Sequence, residues 1–336
     1  MPLRLGRSLF GALLAFVVSG AAWWWLPSAA LVDTRVVATP APADAPPALP
    51  APVSAPQPAT DEPDFDPEQV MYAQAALLDA ELARLAPRTP GKINLYVVAF
   101  AGDAGEDVFH NEVEYVRTLF EQRFDAAGHV VVLQNNPRTL ERAPLASWTS
   151  LHASLQAIAQ RADPAQDIVL LYLTSHGSDD HELLVQMDPL PLVQLYPEDV
   201  ADAFRTQPAL RWRVVIVNAC YSGGFIEALR DDSTLVMTSA RRDRTSFGCG
   251  SDADITWFGK ALLVDALNRT TSLPEAFALA RDWVAQREAA DPAADGTVEH
   301  SEPQLATSPS IEARLARWSA ALPPRPPVEF KPAARR

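Results

Sequence analysis

Cysteine is scarce. Only Cys220 and Cys249 occur in the 336 residues, which excludes a disulfide scaffold and any four-cysteine zinc site. Positive charge is also in deficit. The 28 Lys and Arg stand against 42 Asp and Glu, for a net charge of −14. Phosphate binding needs a basic face, so nucleic acid is excluded as a partner. No stretch repeats at a fixed period, which argues against a solenoid. Gly102-Asp103-Ala104-Gly105 lacks the spacing of a phosphate loop and reads as a plain turn. No pattern calls for a metal or another cofactor. What remains is an acidic chain with two thiols, long enough for one domain of about 250 residues plus its extensions.

The extensions are distinct in composition. Arg4 and Arg7, within residues 1–7, precede an uncharged run over 8–32 that contains Trp23-Trp24-Trp25. An apolar stretch of about 20 residues suffices to span a bilayer, and tryptophans favour its interfaces. Positive charge before the span predicts residues 1–7 in the cytoplasm and the rest outside, in the periplasm of a cell with an inner membrane. Ser28-Ala29-Ala30 offers the alternative of a cleaved signal peptide and a secreted form. Residues 33–67 form a Pro/Ala-rich linker, with ten prolines between Pro40 and Pro67. Such a segment buries no core and favours an extended spacer. Residues 321–336 are again proline-rich and are expected to form a disordered tail.

Between these ends, over 68–320, strand-like and helix-like runs alternate. Ile93 to Phe100, His129 to Leu133, Asp167 to Leu173, Val214 to Val217 and Thr234 to Thr238 are rich in β-branched and apolar residues. Helical spacing links Val113, Val116, Leu119, Phe120 and Phe124, and also Leu151, Leu155 and Ile158. Val200 and Phe204 mark a short helix starting at Pro197. Ser272 with Glu275 has the spacing of a capping box for a helix through Phe277, Ala280 and Val284. The alternation predicts an α/β domain in three layers, a mainly parallel sheet with helices on both faces.

Two of the buried strands end unusually. The Ile168 strand delivers His176-Gly177, and the Val214 strand delivers Cys220, followed by Gly223-Gly224. In open α/β sheets, ligands bind at the carboxyl ends of the strands. A free cysteine or a lone histidine at a strand end is most often core. Two such ends, each followed by glycine, point instead to a nucleophile and its base. The amides of Gly177 and Cys220 are natural donors for an oxyanion. A helix expected just past Gly224 would favour a thiolate. His181 with Asp179-Asp180 could suggest a metal site, but solvated loop charges account for them. Arg241, Arg242 and Arg244 read as a solvated loop or as a wall of the substrate cleft. Cys249 reads as structural, in the loop that shapes the pocket.

The segments Thr174-Ser175-His176-Gly177-Ser178, Asn218-Ala219-Cys220-Tyr221-Ser222-Gly223-Gly224-Phe225 and Thr245-Ser246-Phe247-Gly248-Cys249 resemble the bacterial branch of peptidase family C13. These are the legumain and GPI-transamidase-like cysteine peptidases. The resemblance extends from about Lys92 to Leu315 and includes Ser301-Glu302-Pro303-Gln304. It implies a caspase-like fold, a His176–Cys220 dyad, and an oxyanion hole from Gly177 and Cys220. By sequence position it also implies a pocket for the residue before the cleaved bond, built from Asn218, Ser246, Asp254 and His110. Legumains carry a glutamate where this chain has Asn218, and an arginine-histidine pair where it has His110-Asn111. Those departures predict a selectivity other than asparagine. The expected protein is a membrane-anchored cysteine endopeptidase or transpeptidase acting on a peptide or protein substrate through a thioester. The alternative is a catalytically silent caspase-like binding module on a membrane stalk.

Overall fold

The computed structural model describes residues 65–250, 252–292 and 296–333, all within the compact unit Asp61–Arg336. The expected membrane run 8–32 and nearly all of the linker 33–67 lie outside the described residues. Among the described residues no helix is long and apolar enough to cross a membrane.

Six strands form one sheet: β1 (Leu95–Ala101), β2 (Val130–Gln134), β3 (Ile168–Thr174), β4 (Trp212–Asn218), β5 (Thr234–Thr238) and β6 (Gln304–Ala306). Their spatial order is β2-β1-β3-β4-β5-β6. The first five pair in parallel, and β6 closes one edge antiparallel to β5. β1 and β3 are buried along their whole length, as the apolar runs predict for a sheet covered on both faces. Alternation then sorts their side chains. Leu170, Tyr172, Val214 and Ile216 enter one core, and Val169, Leu171, Val215 and Val217 enter the other.

The first core is covered by α2 (Asp107–Arg123), α7 (Leu273–Ala290), α8 (Pro309–Ala320) and a short α6 (Trp257–Gly259) that runs on as a π-helical turn, Lys260–Ala266. The second is covered by α3 (Trp148–Ala159), α4 (Pro197–Arg205) and α5 (Phe225–Leu229), with α1 (Pro67–Ala83) adding Leu78 and Leu82. The three-layer, mainly parallel architecture expected from the sequence is the one observed. Truncating a fully buried side chain such as Leu171 to alanine should cost about 2–5 kcal/mol.

Two local expectations need correction. Only half of the capping box forms: the Ser272 hydroxyl accepts from the Glu275 amide at 3.4 Å. The Glu275 carboxylate instead takes the Thr270 hydroxyl at 2.6 Å, and Thr270 also receives the Ser272 amide. The helix expected just past Gly224 is present: α5 starts at Phe225 and runs for five residues, after a single 3₁₀ turn at Ser222–Gly224. The proline-rich tail is not free where it is described. The Tyr115 hydroxyl donates to the Val328 carbonyl at 2.8 Å, Arg123 donates to the Arg325 carbonyl at 2.6 Å, and Phe330 packs edge-on against Tyr115. Proline removes backbone donors but not acceptors, so donors on α2 can hold such a segment.

Candidate active site

The register of the sheet brings three loops together. Ala101 of β1 pairs with Thr174 of β3, and Thr174 pairs with Asn218 of β4. Two residues beyond each of these, on adjacent strands, stand Asp103, His176 and Cys220. Neighbouring strands lie about 4.8 Å apart, so the acid, the base and the thiol form a row. His176 Nε2 lies 3.8 Å from the Asp103 carboxylate, and the imidazole meets the Phe109 ring edge-on at 5.1 Å. Asp103 is buried, and its carboxylate also accepts from the Gly105 amide at 3.1 Å. Glu106 adds a further acid near His176. Burial raises its pKa, the His176 ring counteracts this, and Asp103, Asp107 and Asp252 reinforce it.

Gly177 has a definite reason to be glycine. A Cβ there would lie 2.2 Å from the Cys220 carbonyl oxygen. The close approach is therefore to the neighbouring strand end. Among the described residues, neither the Gly177 nor the Cys220 amide hydrogen has a protein acceptor. Buried or half-buried amides are seldom left over, so two free donors on touching strand ends suit an oxyanion.

The Cys220 sulfur accepts from the Ser246 amide at 3.3 Å and lies 3.8 Å from the Ser246 hydroxyl. Tyr221 follows in the left-handed region at φ 55°, a conformation that non-glycine residues rarely adopt. No hydrogen bond joins the His176 ring to Cys220 among the described residues. Burial pushes the pKa of the second thiol, Cys249, up, with the Cys220 sulfur and then Glu106 and Glu112 acting in the same direction.

Below the row of strand ends sits Glu112, a fully buried carboxylate on α2. It accepts from the Tyr172 hydroxyl (2.7 Å), the Thr174 hydroxyl (2.7 Å) and the Asn218 amide (2.9 Å), and from the amide (3.0 Å) and hydroxyl (2.6 Å) of Thr256. Burial, then the Glu112 charge and its hydrogen bond, raise the Tyr172 pKa well above the ordinary phenol range. The network clamps the last residues of β3 and β4 to α2.

Of the expected pocket residues, Ser246 contacts the thiol. Asn218 is 1% exposed, and its amide nitrogen is committed to Glu112 and to the Thr256 hydroxyl at 2.8 Å. His110 is buried and bonded through Nδ1 to Gln134 at 2.6 Å. Both face the interior, so neither presents its side chain to a substrate. Asp254 contributes its carbonyl to Asn111 at 2.9 Å. His181 packs on Gly224. Among the described residues no group of three or more His, Cys, Asp or Glu side chains could hold a metal ion.

Sequence reasoning missed Asp103 and Glu112, yet signals for both existed. Asp103 follows its strand by the same two residues as His176 and Cys220. Glu112 falls on the apolar stripe Phe109, Glu112, Val116 and Leu119, where a carboxylate needs buried donors.

The comparisons with known proteins bear on this geometry. Residues 147–300 match the model of the Peptidase C13 family. Over these residues the chain is similar to that family. The match is to a family of cysteine-type peptidases, and the matched segment contains His176, Gly177, Cys220, Ser246 and Asp254. Asp103, His110 and Glu112 come from β1 and α2, ahead of it. No curated protein matches the chain in sequence. Among solved structures, caspase-1 from Spodoptera frugiperda is similar at 13% identity over 66% of this chain and 94% of that one, with a TM-score of 0.45.

Proposed function

We propose that the protein is a cysteine endopeptidase or transpeptidase in which Cys220 is the nucleophile and His176 the base. The observation that carries this reading is the common register of Asp103, His176 and Cys220 on adjacent strand ends. Asp103 faces Nε2 of His176, which leaves Nδ1 to exchange the proton. The thiolate attacks the peptide carbonyl carbon, and the developing oxyanion accepts from the Gly177 and Cys220 amides. Collapse breaks the C–N bond, His176 protonates the departing amine, and a thioester remains on Cys220. Water or a second amine then displaces the sulfur, giving hydrolysis or transfer.

In this reading, residues 8–32 anchor the chain in a membrane with the peptidase on the far side. The arginines ahead of that run support this orientation. Protease protection of the domain in intact cells, lost when the envelope is opened, tests it.

The decisive experiment is a peptide-library assay on the purified protein with the residue before the cut varied. Activity should be present in the wild type and absent in Cys220→Ala. A thiol-alkylating reagent should label Cys220 well before Cys249, whose thiol is held protonated by burial. A wild type inert to the library and labelled equally at both cysteines would leave the non-catalytic binding module as the better account.

A further inference from the structure

Among the described residues no side-chain hydrogen bond joins His176 to Cys220, and the Glu112 network stops two residues short of each, so their loops need a further tie that holds them in relation. We infer that His181 is the positioning residue that does so. The proposal rests on His176 and Cys220 being the reacting pair.

His181 lies five residues after His176, in the same loop. Its backbone adopts φ 69°, an unusual conformation for a residue with a side chain, and strain of this kind concentrates at functional sites. The loop is closed on itself by the Ser178 amide donating to the Glu182 carbonyl and the His181 amide donating to the Ser178 carbonyl, each at 3.0 Å. The His181 ring thus leaves a tied loop in a fixed direction.

It crosses to the loop of the nucleophile. His181 Nδ1 lies 3.2 Å from the carbonyl oxygen of Tyr221, the residue directly after Cys220. A carbonyl only accepts, so Nδ1 carries the proton. Nε2 lies 3.3 Å from Arg242 Nη2. A guanidinium only donates, so Nε2 is the acceptor. One neutral tautomer satisfies both contacts. The ring lies flat against the turn after the nucleophile, and a Cβ on Gly224 would fall 2.1 Å from the imidazole Cγ. Glycine at 224 is what lets the ring in.

The third loop, after β5, completes the bridge. Besides Arg242, it supplies the Arg244 carbonyl to the Tyr221 amide at 2.7 Å and the Ser246 amide to the Cys220 sulfur at 3.3 Å. Arg242 also packs its own backbone against Gly223, where a Cβ would lie 2.4 Å from the Arg242 amide nitrogen. One imidazole therefore ties together the loop of the base, the loop of the nucleophile and the loop that cradles the sulfur. It touches none of the reacting atoms. Its effect is to hold a geometry whose loss by about 1 Å can cost on the order of 100-fold in rate.

The test compares His181→Gly, His181→Ala and His181→Asn in the full chain. Glycine relieves the positive φ and removes the ring, so it separates backbone strain from the bridge. Asparagine tolerates the left-handed backbone and keeps a donor near the place of Nδ1. The Gly and Ala variants should lose on the order of 10- to 100-fold in kcat with KM within about twofold, and alkylation of Cys220 should slow. Asparagine should restore kcat to within about threefold. The inference is overturned if His181→Gly keeps the wild-type kcat and alkylation rate. It is equally overturned if asparagine fails to rescue, or if a fall in melting temperature accounts for the lost activity. The alkylation rate keeps the outcomes distinguishable. Should wild type and Cys220→Ala prove equally inactive, the peptidase reading fails, and Cys220 labelling across the His181 variants still decides whether the bridge holds the thiol.

Discussion

Asp167 and Glu112 are buried carboxylates at opposite ends of the same strands, and each accepts five hydrogen bonds. Asp167 stands just before β3. It takes two from Arg88, at 2.9 and 3.4 Å, two from Asn94 and one from the Asp163 amide. Glu112 lies beneath the exits of β3 and β4. Its five come from Tyr172, Thr174, Asn218 and Thr256, all uncharged, and among the described residues no cation reaches it. The first is a balanced ion pair that stitches the entry of the sheet. The second has no cationic partner among the described residues and clamps Thr174 and Asn218, each two residues short of His176 or Cys220. Hydrogen bonds alone do not distinguish a structural carboxylate from one serving a site; the absence of a counter-ion and the identity of the clamped neighbours do.

Several measurements would break or sharpen that contrast. The largest effect is expected at the exit end itself. Cys220→Ala should remove peptide cleavage, a loss of about 10³-fold or more, while leaving the urea midpoint nearly unchanged. Next, Glu112→Ala strands four donor side chains at once. Each buried unpaired group costs about 1–3 kcal/mol, so an overall loss of about 3–5 kcal/mol is expected after partial relaxation, together with a fall in kcat. A stable, fully active Glu112→Ala would refute the clamp. Gly177→Ala should come third. Its methyl must displace the Cys220 carbonyl, costing about 1–3 kcal/mol and lowering kcat without a matching change in KM.

Asp167→Asn should have the smallest effect on function: about 2 kcal/mol of stability and no change in kcat. Its pH dependence has a definite sign. Burial acts to raise the Asp167 pKa, but the hydrogen bonds from Arg88, the Asp163 amide and Asn94 outweigh it and hold it below the ordinary value. A depressed folded-state pKa stabilises above the unfolded-state pKa and is lost as pH falls through the folded value. Wild-type stability should therefore drop below about pH 4, and the Asn variant should lack that part of the drop. Urea melts at pH 3 and pH 7 measure it. A kcat change in Asp167→Asn would erase the distinction between the two ends.

Much of the molecule was legible in the residues. Val214 to Val217 and Ile168 to Leu173 read as doubly buried strands because β-branched and apolar runs of that length have few other uses. His176 and Cys220 stood out because reactive side chains at buried strand ends are costly unless used. Asp103 was hidden because its turn, Gly102 to Gly105, looks ordinary until the register of β1 against β3 is known. Asn218 misled for the opposite reason. Beside Cys220 in sequence, it looked like pocket lining, but alternation along β4 turns it into the core.

By itself, the sequence determined the layers and the strand ends, and it singled out His176 and Cys220 as candidates, since burial and periodicity are local properties of the chain. The tertiary structure alone decided which loops meet. Asp103 beside His176, Glu112 beneath Asn218 and His181 across to Tyr221 join residues up to 106 positions apart. Such contacts depend on strand order and register, which no local pattern records, because a parallel sheet draws its neighbours through crossovers of arbitrary length.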